Sequence, residues 1–201
     1  MTNVTILDYG SGNLHSLTKA AALAPARVRV EADAAAAVRG TDLLILPGVG
    51  AFAPAAARLA GRAHEDIRSA IADGLQVLGI CLGMQLLFEE SDEGAGRGLG
   101  IIAGRVTRLH ATRVPQIGWN LIEEATDPRL AALQYGYYAN GYACRPLHAD
   151  CVTAWSTHEA DRFPAAVQVE NVIGVQFHPE KSSADGVHYL REVIMNAGVL
   201  R

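Results

Sequence analysis

The sequence is poor in cysteine, in aromatic residues and in net charge. Its 201 residues contain three cysteines and two tryptophans, 6% are aromatic, and the formal net charge is −4. Three widely spaced cysteines, an odd number, make neither a disulfide framework nor a zinc pattern. H-E-x-x-H is absent, so a metal enzyme of that kind is excluded, and no metal or cofactor is expected. A net negative chain gives no footprint for nucleic acid. No apolar run approaches the roughly 18 residues that a membrane span needs. Met1-Thr2-Asn3 leads directly into strand-like sequence without a basic segment or a cleavage-like site. The expected setting is reducing and cytoplasmic, with no nucleic-acid or membrane partner.

Half the residues are apolar and 19% are charged, as in an ordinary globular protein. The length fits a single domain over 1–201. Up to residue 80 the pattern reads βαβαβαβ, with strands at 4–7, 27–31, 42–46 and 77–80. Helices are expected at 14–23, 34–39, 53–60 and 65–72. This alternation predicts an α/β fold, a doubly wound and mostly parallel sheet with helices on both faces. The second half reads as short added antiparallel strands: 101–109, 120–123, 135–144, 152–156, 165–169 and 172–177. A last helix is expected over 185–197. The glycine loop 8–13 lacks the third glycine of a dinucleotide fingerprint and is followed by no Walker lysine.

The stretch from Val77 to Phe88 organises the rest. A buried-strand run leads to Gly79-Ile80-Cys81-Leu82-Gly83, then to Met84, Leu87 and Phe88 at helical spacing. Taken alone, a cysteine in an apolar run packs as a small hydrophobe. Between two glycines at a strand-to-helix turn it has the layout of a nucleophile elbow, with sulfur in place of oxygen. About a hundred residues on, His178-Pro179-Glu180 ends another strand. In extended backbone, residues two apart project to one side, so an imidazole and a carboxylate can stand together. A Cys-His-Glu triad in chain order follows: Cys81, His178, Glu180. Cys144 and Cys151 have no such setting and read as packing residues.

"GICLGMQLLFE" with "QFHPEKS" resembles the class I, triad-type glutamine amidotransferases. "DYGSGN", "PGVGAF" and "VPQIGWN" resemble one branch of that family, the glutaminase subunits of imidazole glycerol phosphate synthase, used in histidine biosynthesis. The resemblance covers residues 5 to about 195. It implies that Cys81 attacks the side-chain amide of L-glutamine, and that ammonia leaves before a thioester is hydrolysed. Leu82 would supply one oxyanion N–H, and Val49 or Gly50 the other. Gly50, Gln85 and the segment Asn140-Gly141-Tyr142 would hold the substrate. Asn140 and Gly141 depart from the family's usual histidine and hydroxyl residue, and Gln116 from its usual histidine. The implied partner is a (β/α)8-barrel cyclase in a heterodimer, faced by Asn13, Trp119, Asn120 and Lys181. Two other readings stay open on the sequence. One is a glutaminase serving another synthase, of the pyridoxal-phosphate or anthranilate type. The other is a non-catalytic redox sensor of similar fold.

Overall fold

The computed structural model describes residues 1–10 and 14–197, so Asn13, with Ser11 and Gly12, lies outside the described residues. The first half runs β1 (Thr2–Leu7), α1 (Leu14–Ala21), β2 (Ala26–Glu31), α2 (Ala34–Val38), β3 (Leu43–Leu46), α3 (Phe52–Arg58), α4 (Arg62–Ala72) and β4 (Gln76–Ile80). Next come the single turn α5 (Leu82–Gln85), β5 (Glu90–Ser91), β6 (Gly104–Arg108), β7 (Gln116–Leu121), β8 (Tyr135–Asn140) and β9 (Tyr142–Pro146). β10 (Val152–His158), β11 (Asp161–Val169), β12 (Val172–Val175) and α6 (Ser183–Asn196) close the chain.

Seven strands form the main sheet in the order β10-β11-β12-β4-β3-β1-β2. β2, β1, β3, β4 and β12 are parallel, and β11 and β10 extend the sheet antiparallel. Strand alternation sorts the core into two layers. Val4, Ile6, Leu43, Ile45, Leu78 and Ile80 pack with Leu17 of α1 and Leu190 and Val193 of α6. Leu7, Leu44, Leu46 and Val77 pack on the other face with Ala37, Phe52, Ile67 and Ile71 of α2, α3 and α4. The doubly wound sheet expected from the sequence is therefore present. No helix among the described residues is long and apolar enough to cross a membrane.

Three details differ from the sequence reading. The helix after Cys81 is one turn long. Leu86, Leu87 and Phe88 are fully buried, and their carbonyls accept N–H groups from Leu99, Ile101 and Gly100. The returning connection takes the acceptors that a longer helix would use. Segment 135–144 is two strands: β8 pairs with β7, while β9 crosses to β6, and Gly141 marks the change of sheet. Finally, segment 172–177 is not an added antiparallel strand throughout. β12 lies parallel to β4, with Val175 opposite Ile80.

Candidate active site

The pairing of β12 with β4 explains why residues about a hundred positions apart meet. Ile80 and Val175 are neighbours, so the next residues of both strands leave the same carboxyl edge, where ligands of such sheets bind. The Cys81 N–H donates to the Val175 carbonyl at 2.7 Å. Cys81 itself has φ 50° and ψ −103°, outside the comfortable region for a residue with a side chain. Such an outlier between a strand and a helical turn is the mark of a nucleophile elbow.

The flanking glycines are needed for backbone contact more than for room around the sulfur. A Cβ on Gly79 would sit 2.6 Å from the Gly83 carbonyl oxygen, and one on Gly83 would sit 1.9 Å from that of Leu46. The loop after β3 is fitted against the elbow in the same way. A Cβ on Gly48 would lie 1.8 Å from the Ile80 oxygen and 2.8 Å from the Leu82 nitrogen. Gly48→Ala is therefore expected to push residues 48–50 off the elbow and to lower kcat for glutamine hydrolysis by about 10²–10³, the usual cost of losing an oxyanion donor. Steady-state kinetics beside a thermal melt checks this; an unchanged kcat in a folded variant would separate the loop from catalysis.

A cleft of about 110 Å³ opens at this point, lined by Gly48, Val49, Gly50, Cys81, Leu82 and Gln85 on one side and by Asn140, Gly141 and Tyr142 on the other. The structure thus gathers the substrate and oxyanion candidates around the sulfur. Gly50 adopts φ +129°, which glycine takes without strain. Glu93, a residue the sequence reading passed over inside a Glu/Asp/Gly-rich connection, also lines the cleft, and its Oε2 accepts the Phe52 N–H at 2.8 Å.

His178 is 1% exposed. Its Nδ1 and the Glu180 Oε1 are 3.0 Å apart. The sequence predicts that extended backbone brings them together; the structure does it differently. His178 is extended, but Pro179–Lys181 forms a tight 3-10 turn that swings Glu180 back under the ring. Proline suits the first position of such a turn, having no N–H to leave unpaired. Burial works against imidazolium here, yet the Cys81 sulfur and Glu180 outweigh it and raise the His178 pKa to about 10. A base held protonated beside sulfur is the form a thiolate–imidazolium pair requires.

Two further residues escaped the sequence. The Gln176 side chain is fully buried, and its Nε2 lies 3.5 Å from the Cys81 sulfur. It stands two residues before His178, a spacing that could have drawn notice. The Tyr9 hydroxyl donates to the Pro47 carbonyl, tying the loop after β1 to the loop after β3. Burial, and secondarily Cys81, push that phenol above its ordinary pKa. Of the three departures from the family pattern, Gln116 and Asn140 are direct partners across β7 and β8, and Gly141 follows Asn140, so all three lie at one place.

On the outer face of that hairpin, Ile117, Trp119, Leu121 and Tyr135 are exposed, at 69%, 55%, 40% and 53%. The Trp119 ring meets Tyr137 edge-on at 6.1 Å, and the Lys181 ammonium lies 5.8 Å from the Tyr137 ring centre. Asn120 is occupied within the fold: its Nδ2 donates to the Thr157 carbonyl and its Oδ1 accepts the Leu121 N–H.

A profile of the glutamine amidotransferase class-I family matches residues 5–197. The imidazole glycerol phosphate synthase subunit HisH of Symbiobacterium thermophilum is 44% identical, covering 94% of this chain and 92% of its own. Those of Geobacillus thermodenitrificans and Gloeothece citriformis are 42% and 38% identical, each covering 96% of both chains. Among solved structures, a glutamine amidotransferase superposes with a TM-score of 0.75 at 20% identity, covering 96% of this chain and 98% of its own. PurLQS from Thermotoga maritima gives 0.75 at 19% identity, covering 100% and 99%. With a profile matched over nearly its whole length and relatives this similar end to end, the chain belongs to the class-I glutamine amidotransferases.

Proposed function

We propose that this single-domain chain hydrolyses L-glutamine to glutamate and ammonia, and passes the ammonia to the cyclase subunit of imidazole glycerol phosphate synthase. The observation that carries this is the strained Cys81 placed by β4 beside the His178–Glu180 pair placed by β12. The Cys81 sulfur attacks the side-chain amide carbon. His178 gives a proton to the nitrogen, the C–N bond breaks, and ammonia departs. Water then attacks the thioester while His178 takes its proton; the C–S bond breaks and free Cys81 returns. Oxyanion charge falls to the Leu82 N–H and to that of Val49 or Gly50. Glu93 offers a carboxylate at the cleft wall for the α-ammonium, and Gln85 with Asn140, Gly141 and Tyr142 surrounds the rest.

Ammonia in neutral water is mostly protonated, so a sealed route to the consuming site preserves its nucleophilicity. The apolar face around Trp119, with Lys181 beside it, suits a partner, and we assign it to the (β/α)8-barrel cyclase. Asn13 is assigned to the same interface by family resemblance, whereas Asn120 acts by holding the hairpin to β10. The reducing cytoplasm is the compartment in which three free thiols persist. Trp119→Ala is expected to weaken the complex at least about tenfold, as truncating a central aromatic anchor does, with little change in the melting temperature of the isolated subunit. Titration calorimetry checks it, and an unchanged Kd would move the interface elsewhere. Glutamate release from glutamine, with and without the cyclase, tests the function itself; no release under either condition refutes it.

A further inference from the structure

We propose that Gln176 directs an N–H at the Cys81 sulfur and holds it for attack, through an amide relay whose polarity starts at the Tyr142 carbonyl. This rests on Cys81 being the nucleophile. The Tyr142 oxygen can only accept, and it lies 3.2 Å from Gln85 Nε2 and 3.0 Å from Asn140 Nδ2. Gln85 must therefore present its NH₂ group to Tyr142. The same NH₂ group reaches Gln176 Oε1 at 3.3 Å. With its oxygen so used, Gln176 has only Nε2 left for the sulfur, at 3.5 Å. Its backbone is fixed as well, since its N–H donates to the Ala165 carbonyl of β11 at 2.9 Å. The Gln176 side chain is fully buried, so its amide is held by these protein partners.

Two consequences follow. The N–H favours a charged sulfur both before attack and when the thioester releases it, because a donor stabilises the anionic partner. The relay also leaves the Gln85 carbonyl as the group able to accept from the substrate in the cleft. The other titratable groups around the sulfur are His178 with Glu180 behind it, Tyr9 from the loop after β1, Cys144 of β9 and Glu93 across the cleft. All remain in place when only residue 176 changes.

The experiment uses the full chain with Gln176, with Gln176→Met and with Gln176→Glu. Iodoacetamide is applied across a pH series, and mass spectrometry follows Cys81 separately from Cys144 and Cys151. The midpoint for Cys81 alkylation is expected to rise by about one pH unit in the Met variant, and further in the Glu variant, where a carboxylate meets the sulfur. Glutamine hydrolysis is expected to fall in the same order. A purely packing role would leave the midpoint in place, and an unshifted midpoint in both folded variants overturns the relay. Where the Met variant does not fold, Gln176→Asn withdraws the amide by one methylene. It is expected to show the same upward shift, and its failure to do so also overturns the relay. The two readings fail separately. If complete alkylation of Cys81 leaves hydrolysis intact, Cys81 is not the nucleophile and the proposal falls with it. If alkylation abolishes hydrolysis but the midpoints coincide, only the relay is wrong.

Discussion

Cys81→Ala is expected to lower glutamine hydrolysis by at least about 10⁴-fold while leaving a folded protein that still binds the cyclase. Removal of a covalent nucleophile ordinarily costs this much, because the remaining groups stabilise a transition state that no longer forms. The fold should tolerate the change. Both residues carry a Cβ, so the φ of 50° is no harder for alanine than for cysteine. The lost contacts are the sulfur's own, including the one with Gln176. A loss of about 1–2 kcal/mol is expected, or roughly 2–8 °C in Tm for a chain of this length. The complex should still work when ammonium salt replaces glutamine. Ammonia-driven synthesis without glutamine-driven synthesis is the outcome sought; glutamine turnover near the unsubstituted rate would remove Cys81 from the mechanism.

His178→Ala is expected to be nearly as damaging, and Glu180→Gln less so. In the proposed mechanism the imidazole moves protons in both halves of the reaction, whereas the carboxylate, 3.0 Å from the ring, orients it and favours its charged form. Losses of about 10⁴ or more for His178→Ala and about 10²–10⁴ for Glu180→Gln are in scale with other triads. pH adds a second readout. With its pKa raised to about 10, His178 is protonated at neutrality, and the alkaline limb of hydrolysis is expected near pH 10. Its stabilising contribution is complete below the unfolded value of about 6.5 and is lost as pH climbs through about 10. Removing Glu180's charge takes away one cause of the rise, so the alkaline limb in Glu180→Gln should move to lower pH. A Glu180→Gln rate as low as that of His178→Ala, or an alkaline limb in Glu180→Gln that stays where the unsubstituted protein has it, would mean that the carboxylate and the ring have been given the wrong roles.

The parts of this site that could be read from sequence are those where backbone geometry allows few residue types. Gly79 and Gly83 meet neighbouring carbonyls, and nothing larger fits; the elbow was therefore visible. His178-Pro179-Glu180 is legible as a unit, and His178 is extended before the proline as expected, but the turn that begins at Pro179 is not legible. The short helix after Cys81 was not visible. Met84, Leu87 and Phe88 keep helical spacing, but their burial is uniform, and periodicity cannot report that another segment has taken the carbonyls. Gln176 was hidden for a related reason. A buried glutamine acquires meaning only from partners at residues 81, 85 and 142, brought to it from three other elements.

The position of β12 has a consequence for synthesis of the chain. It is the last strand in sequence, yet it sits inside the sheet, between β11 and β4. A ribosome-bound chain that has made β1 to β4 already carries the elbow, but has neither the imidazole nor the neighbouring strand whose Val175 carbonyl receives the Cys81 N–H. Insertion of β12 closes one of the longest-range pairings in the fold, the kind that costs most loop-closure entropy and is expected to form late. Products that end before His178 lack the proposed base and are expected to be inert toward glutamine. Turnover is expected only once β12 has docked, so the onset of ammonia release would report that docking.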